Sequence, residues 1–347
     1  MFDDNNVIQQ RDRQNALTVA SNLWQQANFA VDVLRSEHDD REIKHIVVAG
    51  MGGSALAADM AKTLLKKQLS IPFEVVKTYE LPRYVGKNSL VIASSHSGNT
   101  EETVGCLEEA LRRDAQIAVI ASGGMLQQIA EQHDIMTVHI PHDTQPRMAV
   151  LYNLRALLRV FSEYSLIDHA LYEEMSVASE WLKSETDKWI SSVSTDQNYA
   201  KQLALLAVGK TPVFYAGDLM APVAYKWKIS WNENAKNVAF WNYLPEFNHN
   251  EFLGWTSHPI EKPFAVFDLV SNFEHPRILK RFEVTDRLLS GKRPKAITVQ
   301  LAGDSPLKQM LWASILADFV SIYVALLNNV DPTQVDLIET FKKSLDN

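Results

Sequence analysis

The 347-residue sequence contains one cysteine, Cys106, so no disulfide can form within the chain. It also lacks an excess of positive charge, because 34 Lys and Arg residues stand against 42 Asp and Glu, a formal net charge of −8 at pH 7. This balance argues against nucleic acid or an anionic membrane as the main partner. No basic-then-apolar leader opens the sequence, and no uninterrupted apolar run reaches the roughly 20 residues of a membrane span. We therefore expect a cytoplasmic protein that binds neither nucleic acid nor membrane.

Patterns that could ligate a metal are equally scarce. His139, His142 and Asp143 form a candidate, H-x-x-H-D, at the end of a predicted strand. Pro141 breaks any helical pairing of the two histidines, and a single cysteine excludes a two-cysteine zinc site. We expect neither a metal nor another cofactor.

Strand-like and helical patterns alternate in two parts of the chain, which is typical of doubly wound parallel sheets. The patterns predict strands at residues 46–49, 73–77, 90–93, 117–121, 135–140, 212–216, 238–240, 265–269 and 296–300. They predict helices at residues 54–67, 100–113, 125–132, 221–232, 276–290, 307–327 and 332–345, and one long amphipathic helix over residues 8–38. The expected segments are an N-terminal helix (1–40), a first sheet domain (41–150), a helical linker (151–205), a second sheet domain (206–330) and a C-terminal helix (331–347).

Two turns rich in glycine and hydroxyl side chains are the most informative part of the sequence. GMGGSA (residues 50–55) and SSHSGNT (residues 94–100) each follow a short apolar strand and each open a helical segment. Such a turn directs backbone N–H groups and the positive end of a helix at one point. The nearby hydroxyl groups belong to Ser54, Ser95, Ser97 and Thr100. Two such turns on neighbouring strands predict a site for a phosphate monoester.

The first turn also has a rival interpretation. Gly50, Gly52 and Ala55 fit the dinucleotide fingerprint G-x-G-x-x-G/A, and Glu80 follows the next predicted strand, where a ribose-binding acid could lie. A nicotinamide site has no need for three hydroxyls and an asparagine at the end of another strand, so the second turn favours phosphate. Helix capping is a further alternative, but it accounts for Thr100 alone.

The second alternating region is similar to a decayed copy of the first. Aligning VFYAGDLMAPVAYKWK with IVVAGMGGSALAADMAK sets LMA, residues 219–221, where Gly52, Gly53 and Ser54 stand. The bulky Leu and Met side chains would prevent the close backbone approach to phosphate that the two glycines permit. We therefore expect only the first half to bind phosphate.

With these turns, the sequence resembles the SIS (sugar isomerase) family, and within it the bifunctional phosphoglucose/phosphomannose isomerases of archaea and bacteria. The resemblance covers nearly the whole chain. Its motifs are GMGGSALAAD, SHSGNTEET, QPR (145–147), NENAKN (232–237), PEFNHNEFLGW (245–255) and LADFVSIYVALLNNVDP (316–332). The first two specify only the sugar-phosphate superfamily, whereas the Glu- and His-bearing segments and the C-terminal motif indicate the isomerase branch. One departure is His96, where the family usually carries Tyr.

The resemblance implies an α/β fold of two SIS-type doubly wound parallel-sheet domains, which are flavodoxin-like αβα sandwiches flanked by helices. It implies a homodimer with the active site at the interface, no metal, and a small-molecule sugar phosphate as the ligand. The implied reaction interconverts glucose 6-phosphate, and mannose 6-phosphate, with fructose 6-phosphate through ring opening and a cis-enediol.

Three residues match family residues with roles in this reaction, and a fourth is a further candidate. Glu233 matches the catalytic glutamate, the base that moves a proton between C1 and C2. His249 matches the ring-opening residue, supplied across the dimer interface. Arg147 resembles the arginine that stabilises the enediolate, and Lys308 is a candidate for help with ring opening. From the residues alone, ordinary alternatives stand beside these roles: an exposed glutamate, a turn-capping histidine, an arginine paired with an acid such as Asp143, and a solvated lysine.

Two other kinds of protein stay open as alternatives. A non-catalytic sugar-phosphate sensor would keep the phosphate turns but would have no use for Glu233 and His249. An NAD-dependent dehydrogenase would use the first turn as a dinucleotide site. The first is tested by assaying isomerisation and the second by titrating the protein with NAD.

Overall fold

The computed structural model describes residues 2–39, 41–257 and 263–345. The strands are β1 Val33–Leu34, β2 His45–Ala49, β3 Phe73–Val76, β4 Ser89–Ser95, β5 Gln116–Ala121, β6 Met136–His139, β7 Thr211–Gly217, β8 Phe240–Leu244, β9 Phe264–Val270 and β10 Ile297–Gln300. The helices are α1 Asn5–Arg11, α2 Ala16–Asn22, α3 Gly52–Leu65, α4 Glu101–Arg112, α5 Gly124–Gln132, α6 Val150–Glu163, α7 Ala170–Thr186, α8 Tyr199–Ala207, α9 Ala221–Glu233, α10 Glu251–Gly254, α11 Pro276–Leu288, α12 Pro306–Leu327 and α13 Asp336–Leu345. Short 3₁₀ turns cover Leu23–Asn28, Pro146–Met148, Asp218–Met220 and Glu246–His249.

The chain divides into two compact units. The first unit comprises Leu23–Lys183 and Asp304–Leu311, and the second comprises Met1–Asn22, Ser184–Gly303 and Trp312–Asn347.

The first unit contains a six-stranded sheet in the order β1-β6-β5-β4-β2-β3. All neighbouring strands are parallel except β1, which runs antiparallel to β6. The central strands are continuous apolar runs buried on both faces, as expected where helices cover a parallel sheet. Cys106 lies in this core beside Val91 and Leu107, and burial raises the pKa of its thiol to about 11. It therefore acts as a small apolar side chain.

The second unit contains a four-stranded, fully parallel sheet in the order β10-β9-β7-β8. This order repeats the arrangement β5-β4-β2-β3 of the first unit. The structure thus agrees with the internal duplication expected from the sequence, with β7 equivalent to β2 and β9 equivalent to β4.

The prediction of a single helix over residues 8–38 is wrong, because this segment contains the end of α1, then α2, a 3₁₀ turn and β1. Asn15 has a positive φ of 54°, which interrupts a right-handed helix. The buried carboxylate of Asp12 accepts hydrogen bonds from the N–H groups of Ala16 (2.7 Å) and Leu17 (2.9 Å), so it starts α2 as a separate helix. After the 3₁₀ turn at Leu23–Asn28 the chain extends into β1. The apolar periodicity over residues 8–38 is real, but it does not reveal where a side chain such as that of Asp12 binds the backbone and separates two helices.

The boundaries of two further elements differ from those predicted. The strand expected at residues 238–240 is β8, Phe240–Leu244, because its pairing with β7 runs from Val213↔Phe240 to Gly217↔Leu244. The last helix begins at Asp336 rather than near residue 332.

One helix in the described part of the chain, α12, is long and apolar enough to cross a membrane by length and composition. However, 94% of its most apolar window is buried within the protein, as in the core helix of a globular domain. Its acidic residue Asp318 is also buried and pairs with Lys226 at 2.7 Å, while the Ser230 hydroxyl donates to the same carboxylate at 2.8 Å.

Candidate active site

The two turns predicted to bind phosphate lie at one edge of the first unit's sheet. β2 and β4 are parallel neighbours, paired through Ala49↔Ala93, and α3 and α4 begin just beyond the ends of these strands. The first N–H groups of each helix lack intrahelical partners, and both helix dipoles are positive at this edge. The arrangement therefore suits a small anion.

Hydroxyl groups of the second turn point at each other rather than capping α4. Thr100 is at the N-cap position, but its side chain makes no capping bond. Its Oγ1 instead lies 2.7 Å from Ser95 Oγ, and the Gly98 N–H donates to the same Ser95 oxygen at 3.2 Å. The alternative in which Thr100 serves only as a helix cap is therefore wrong. Ser97 is exposed at the surface of this turn, and its Oγ accepts from the Asn99 N–H at 3.3 Å.

Ser54 is less available than the sequence suggests. It is buried, and its hydroxyl donates to Asn153 Oδ1 at 3.2 Å. Ser94 donates to the same oxygen at the same distance, so Asn153 of α6 ties the two turns together from behind. The sequence analysis did not single out Asn153, because nothing local to α6 reveals that it faces the turns.

Arg147 lies against the first turn because Gly53 has no side chain. A Cβ atom on Gly53 would be 2.4 Å from the Pro146 carbonyl oxygen and 3.6 Å from Arg147 Cα. The Gln26 amide donates to the Met148 carbonyl at 2.8 Å and holds the same 3₁₀ turn from the other side. The structure thus brings Arg147, which is buried, to the edge that carries the phosphate turns.

His96 does not interfere with the hydroxyl groups on either side of it. Its ring stacks on that of His142 with the centroids 5.1 Å apart, and its carbonyl accepts from the Ser122 N–H at 3.1 Å. Neither ring nitrogen has a hydrogen-bond partner among the described residues. Burial, helped by the neighbouring His142, lowers the pKa of His96. The ring is therefore neutral at pH 7 and adds no charge to the turn.

Lys308 lies in the first turn of α12, near the helix start that the sequence predicted, and its side chain pairs with neighbours of its own. Its Nζ lies 2.7 Å from Asp304 Oδ1 and 5.8 Å from the centre of the Trp181 ring. Both partners belong to the same unit. Neither Asp304 nor Trp181 belongs to the phosphate turns. The role of Lys308 in ring opening therefore stays a prediction.

Glu233 and His249 belong to the second unit, where the structure separates them. α9 connects the end of β7 with the beginning of β8, so Glu233, its last residue, lies at the edge where the strands begin. His249 follows the end of β8 and is exposed at the opposite edge. The 13-residue α9 covers a length of about 20 Å. The two residues of one chain therefore do not come together.

Glu233 is at the end of a helix that α12 holds in place. Lys226 and Ser230 bind Asp318, and the Asn234 amide donates to Ser321 Oγ at 2.9 Å. These three residues recur every four positions along one side of α9 and its C-cap. The polar bonds fix the position of the helix end that carries the half-buried Glu233.

Comparison with known proteins identifies the family. Residues 41–161 match the SIS domain, and residues 196–345 match the bacterial phospho-glucose isomerase C-terminal SIS domain. The chain is 34% identical over 309 residues to the bifunctional phosphoglucose/phosphomannose isomerase of Caldicellulosiruptor bescii, a match that covers 88% of this chain and 90% of that protein. The chain belongs to the SIS family of sugar isomerases.

Other comparisons agree with this assignment. The bifunctional phosphoglucose/phosphomannose isomerase of Aquifex aeolicus is 33% identical over 303 residues, 87% of this SIS chain and 90% of that protein. The crystal structure of a hypothetical protein from Thermus thermophilus superposes with a TM-score of 0.74 and covers 99% of this chain and 92% of that chain. Its sequence identity is 14%, so this likeness shows the fold alone. The expected α/β fold with two SIS domains is confirmed.

In the second SIS domain, the Glu274 side chain lies at the edge that corresponds to the one carrying the glycine- and hydroxyl-rich turns of the first domain. Glu274 follows β9, as the SSHSGNT turn follows β4, and it is buried. Its carboxylate accepts from the N–H groups of Met220 (3.1 Å) and Leu219 (3.4 Å), at the start of α9. A Cβ atom on Gly217 would be 2.2 Å from the carboxylate carbon. The sequence analysis predicted that the bulk of Leu219 and Met220 prevents phosphate binding here, and in the structure their backbone N–H groups are also bound to the Glu274 carboxyl group.

Protonation of Glu274 makes the stability of this domain depend on pH. Burial, with repulsion from Asp218, raises the pKa of Glu274 from its ordinary 4.5 to about 7, against the opposing effect of the two N–H groups. A carboxyl group with a raised folded-state pKa favours folding when protonated, so its contribution is present below about pH 4.5 and lost as the pH rises through about 7. We expect Glu274→Gln to gain on the order of 3 kcal/mol in unfolding free energy relative to the wild type between pH 4.5 and pH 8. Urea unfolding at several pH values measures this difference.

The control for this experiment is Glu283→Gln on α11. The Glu283 carboxylate is exposed and pairs only with Lys280 at 2.6 Å among the described residues. Its replacement should therefore leave the pH dependence of unfolding nearly unchanged. Parallel pH profiles for the wild type and Glu274→Gln would show that the buried carboxylate does not titrate in this range.

Proposed function

We propose that this SIS protein interconverts glucose 6-phosphate and mannose 6-phosphate with fructose 6-phosphate at a site built by two copies of the chain. The observation that carries the proposal is the phosphate edge of the first SIS domain, with Arg147 packed beside it. Relatives at 33–34% identity over most of the chain are named bifunctional phosphoglucose/phosphomannose isomerases. In this proposal the enzyme is a cytoplasmic homodimer.

The substrate phosphate is held by the start of α3 and by the hydroxyl-rich turn before α4. Gly52 and Gly53 let the phosphate approach the backbone of the first turn. The side chains on the phosphate are Ser95, Ser97 and Thr100, with Ser54 supporting the turn from its bond to Asn153. Anchoring one end of a flexible sugar chain orients C1 and C2 for proton transfer.

Ring opening precedes the proton transfer between carbons. His249 takes the proton of the C1 hydroxyl and returns one to the ring oxygen, so that the C1–O5 bond breaks and an open-chain aldehyde forms. Glu233 then removes the C2 proton as a carboxylate, and the electron pair moves into the C1–C2 bond and onto the carbonyl oxygen. The guanidinium of Arg147 stabilises the negative oxygen of the enediolate. The C2 hydroxyl proton passes to the C1 oxygen, Glu233 returns its proton to C1, and the C2 carbonyl of the ketose forms.

This chemistry explains how one site can act on both aldoses. Glucose 6-phosphate and mannose 6-phosphate differ only in configuration at C2, and removal of the C2 proton from either gives the same enediol. The phosphate anchor, the base and the arginine are therefore shared, and only the orientation of C2 toward Glu233 differs.

A coupled assay tests the activity directly. Fructose 6-phosphate production is followed from each aldose, with and without a chelator. Turnover of both substrates that resists chelation supports the proposal. Binding of sugar phosphate without turnover would instead favour the non-catalytic sensor.

The separation of Glu233 and His249 within one chain supports a shared site, and mixing two variants of strongly reduced activity tests it. If the base comes from one copy and the histidine from its partner, a heterodimer of Glu233→Gln and His249→Ala has one complete site and one site lacking both groups. Random assortment after unfolding and refolding of an equal mixture should restore about one quarter of wild-type activity.

The same mixture distinguishes the alternative arrangement. If each site took both groups from one chain, no combination of the two variants would be active. Each variant refolded alone is the control, and size-exclusion chromatography confirms that the mixture has dimerised.

A further inference from the structure

The segment that carries His249 is held by side-chain hydrogen bonds on its N-terminal side. The Arg281 guanidinium donates to Asn248 Oδ1 at 3.0 Å, and the Asn248 amide donates to Thr285 Oγ1 at 3.0 Å. Both partners belong to α11. The residue directly before His249 is therefore tied to a 13-residue helix of the second SIS domain.

Glu251 holds the same segment on its C-terminal side. One carboxylate oxygen accepts from the hydroxyl of Tyr215 on β7, and the other accepts from the Asn242 amide on β8 at 2.7 Å. The Tyr215 hydroxyl in turn accepts from Trp255 Nε1 at 3.2 Å. Tyr215 is buried, and burial and the nearby Glu251 raise its pKa well above the usual range, so it stays a hydrogen-bond donor. Both oxygens of Glu251 are thus bound to neighbouring strands.

The local backbone cannot supply this rigidity. The 3₁₀ turn Glu246–His249 and the helix α10 each have four residues, and single turns of helix are unstable without tertiary contacts. The imidazole of His249 is exposed and makes no hydrogen bond to another described residue. Its position is therefore determined by the residues on either side of it.

We propose that Glu251 is a positioning residue, which fixes the direction in which His249 projects from the domain through its bonds to Tyr215 and Asn242. This inference rests on the proposed ring-opening role of His249. A displacement of about 1 Å of a catalytic group can reduce a rate by as much as 10²-fold, so loss of this support should slow the reaction without weakening phosphate binding.

The test is a double-mutant cycle between Glu251→Gln and His249→Ala. The amide of the Gln variant cannot accept from both Tyr215 and Asn242 with its two terminal atoms, because one of them is a donor. We expect Glu251→Gln to lower kcat by about 10- to 100-fold with KM within about twofold of the wild type. In the His249→Ala background the same substitution should cause no further loss, because the positioned group is absent.

Two further variants keep the result interpretable. Tyr215→Phe removes the hydroxyl that donates to Glu251 and accepts from Trp255, while Asn242 still donates to Glu251. It should lower kcat in the same direction but less, even if Glu251→Gln folds poorly. Glu283→Gln, an exposed carboxylate on α11, should retain wild-type kinetics. Thermal unfolding of each variant shows that the assayed protein is folded.

The outcomes separate the two hypotheses. An equal loss of kcat from Glu251→Gln in the wild-type and His249→Ala backgrounds would overturn the positioning role, as would a rise in KM with kcat unchanged. Full turnover by the His249→Ala variant alone would overturn the ring-opening role in the proposed function.

Discussion

Glu233→Gln is expected to lower kcat for glucose 6-phosphate and mannose 6-phosphate by about 10³- to 10⁴-fold, at the upper end of the effect of a general base. Glutamine has nearly the same shape as glutamate but cannot take the C2 proton. The end of α9 should not move, because Lys226, Ser230 and Asn234 still hold it against α12. Dissociation constants for sugar phosphates should therefore change by less than about threefold, since the phosphate turns are in the other unit.

The measurement combines the coupled assay with calorimetric titration of fructose 6-phosphate. Proton exchange at C2 in deuterated water, followed by NMR, should be lost together with turnover, because both require removal of that proton. Glu283→Gln is the matched control, being an exposed glutamate of the same unit. Undiminished turnover by Glu233→Gln would assign the base to another group.

Gly98→Ala is expected to lower the free energy of unfolding by about 3–5 kcal/mol and to raise KM for the sugar phosphate by about tenfold or more. Gly98 has φ +71°, a conformation that strains any residue with a side chain, and an added Cβ would lie 1.7 Å from the Gly123 carbonyl oxygen. The Leu126 N–H also donates to the Gly98 carbonyl at 2.9 Å. The Gly98 turn therefore cannot move away from residues 123–126 without losing this hydrogen bond. The turn that carries Ser95 and Ser97 must then open.

Gly105→Ala is the matched control within the same motif region. Gly105 lies inside α4, and an added Cβ would meet the Tyr79 carbonyl oxygen at 3.7 Å, an ordinary contact. This variant should keep KM and gain about 0.5–1 kcal/mol of stability, because alanine favours a helix interior. Equal behaviour of the two variants would mean that the Gly98 turn is not closely packed in solution. Denaturant unfolding and steady-state kinetics on both proteins provide the comparison.

The strand and helix pattern predicted most of both sheets because buried parallel strands are apolar on both faces. The runs at residues 90–93 and 117–121 are the interiors of β4 and β5, and the run at 265–269 is the interior of β9. Their apolar character reflects burial on two sides, which is visible in one dimension. The same reasoning failed over residues 8–38, where the Asp12 carboxylate binds the backbone four and five residues ahead and ends one helix to begin another.

The parts of the candidate site formed by residues close together in the sequence were predictable. The parts formed by residues far apart in the sequence were not. The glycines and hydroxyls of the first SIS domain stand in two short motifs, so their convergence follows once the strands are parallel neighbours. Asn153 ties those turns together from α6, about 100 positions away from Ser54 in the chain, and no local signal marks it. Glu274 has one signal in the sequence, because it is an acidic residue shortly after β9, the strand equivalent to β4. Its burial is not predictable from the sequence.

The sequence by itself determined that the chain has two related α/β halves, that one half carries two turns rich in glycine and hydroxyl groups, and that the family is that of the sugar isomerases. Each of these follows from residue types at short range, where backbone geometry leaves few choices. Only the tertiary structure decided that the Glu274 carboxyl group binds the backbone N–H groups before α9 in the second half. It also decided that Glu233 and His249, 16 positions apart, lie at opposite edges of one sheet. The reason is that α9 runs back from the end of β7 to the beginning of β8, and β8 then leads to His249 at the other edge. Sequence distance does not measure separation in space once a helix runs antiparallel to its strands.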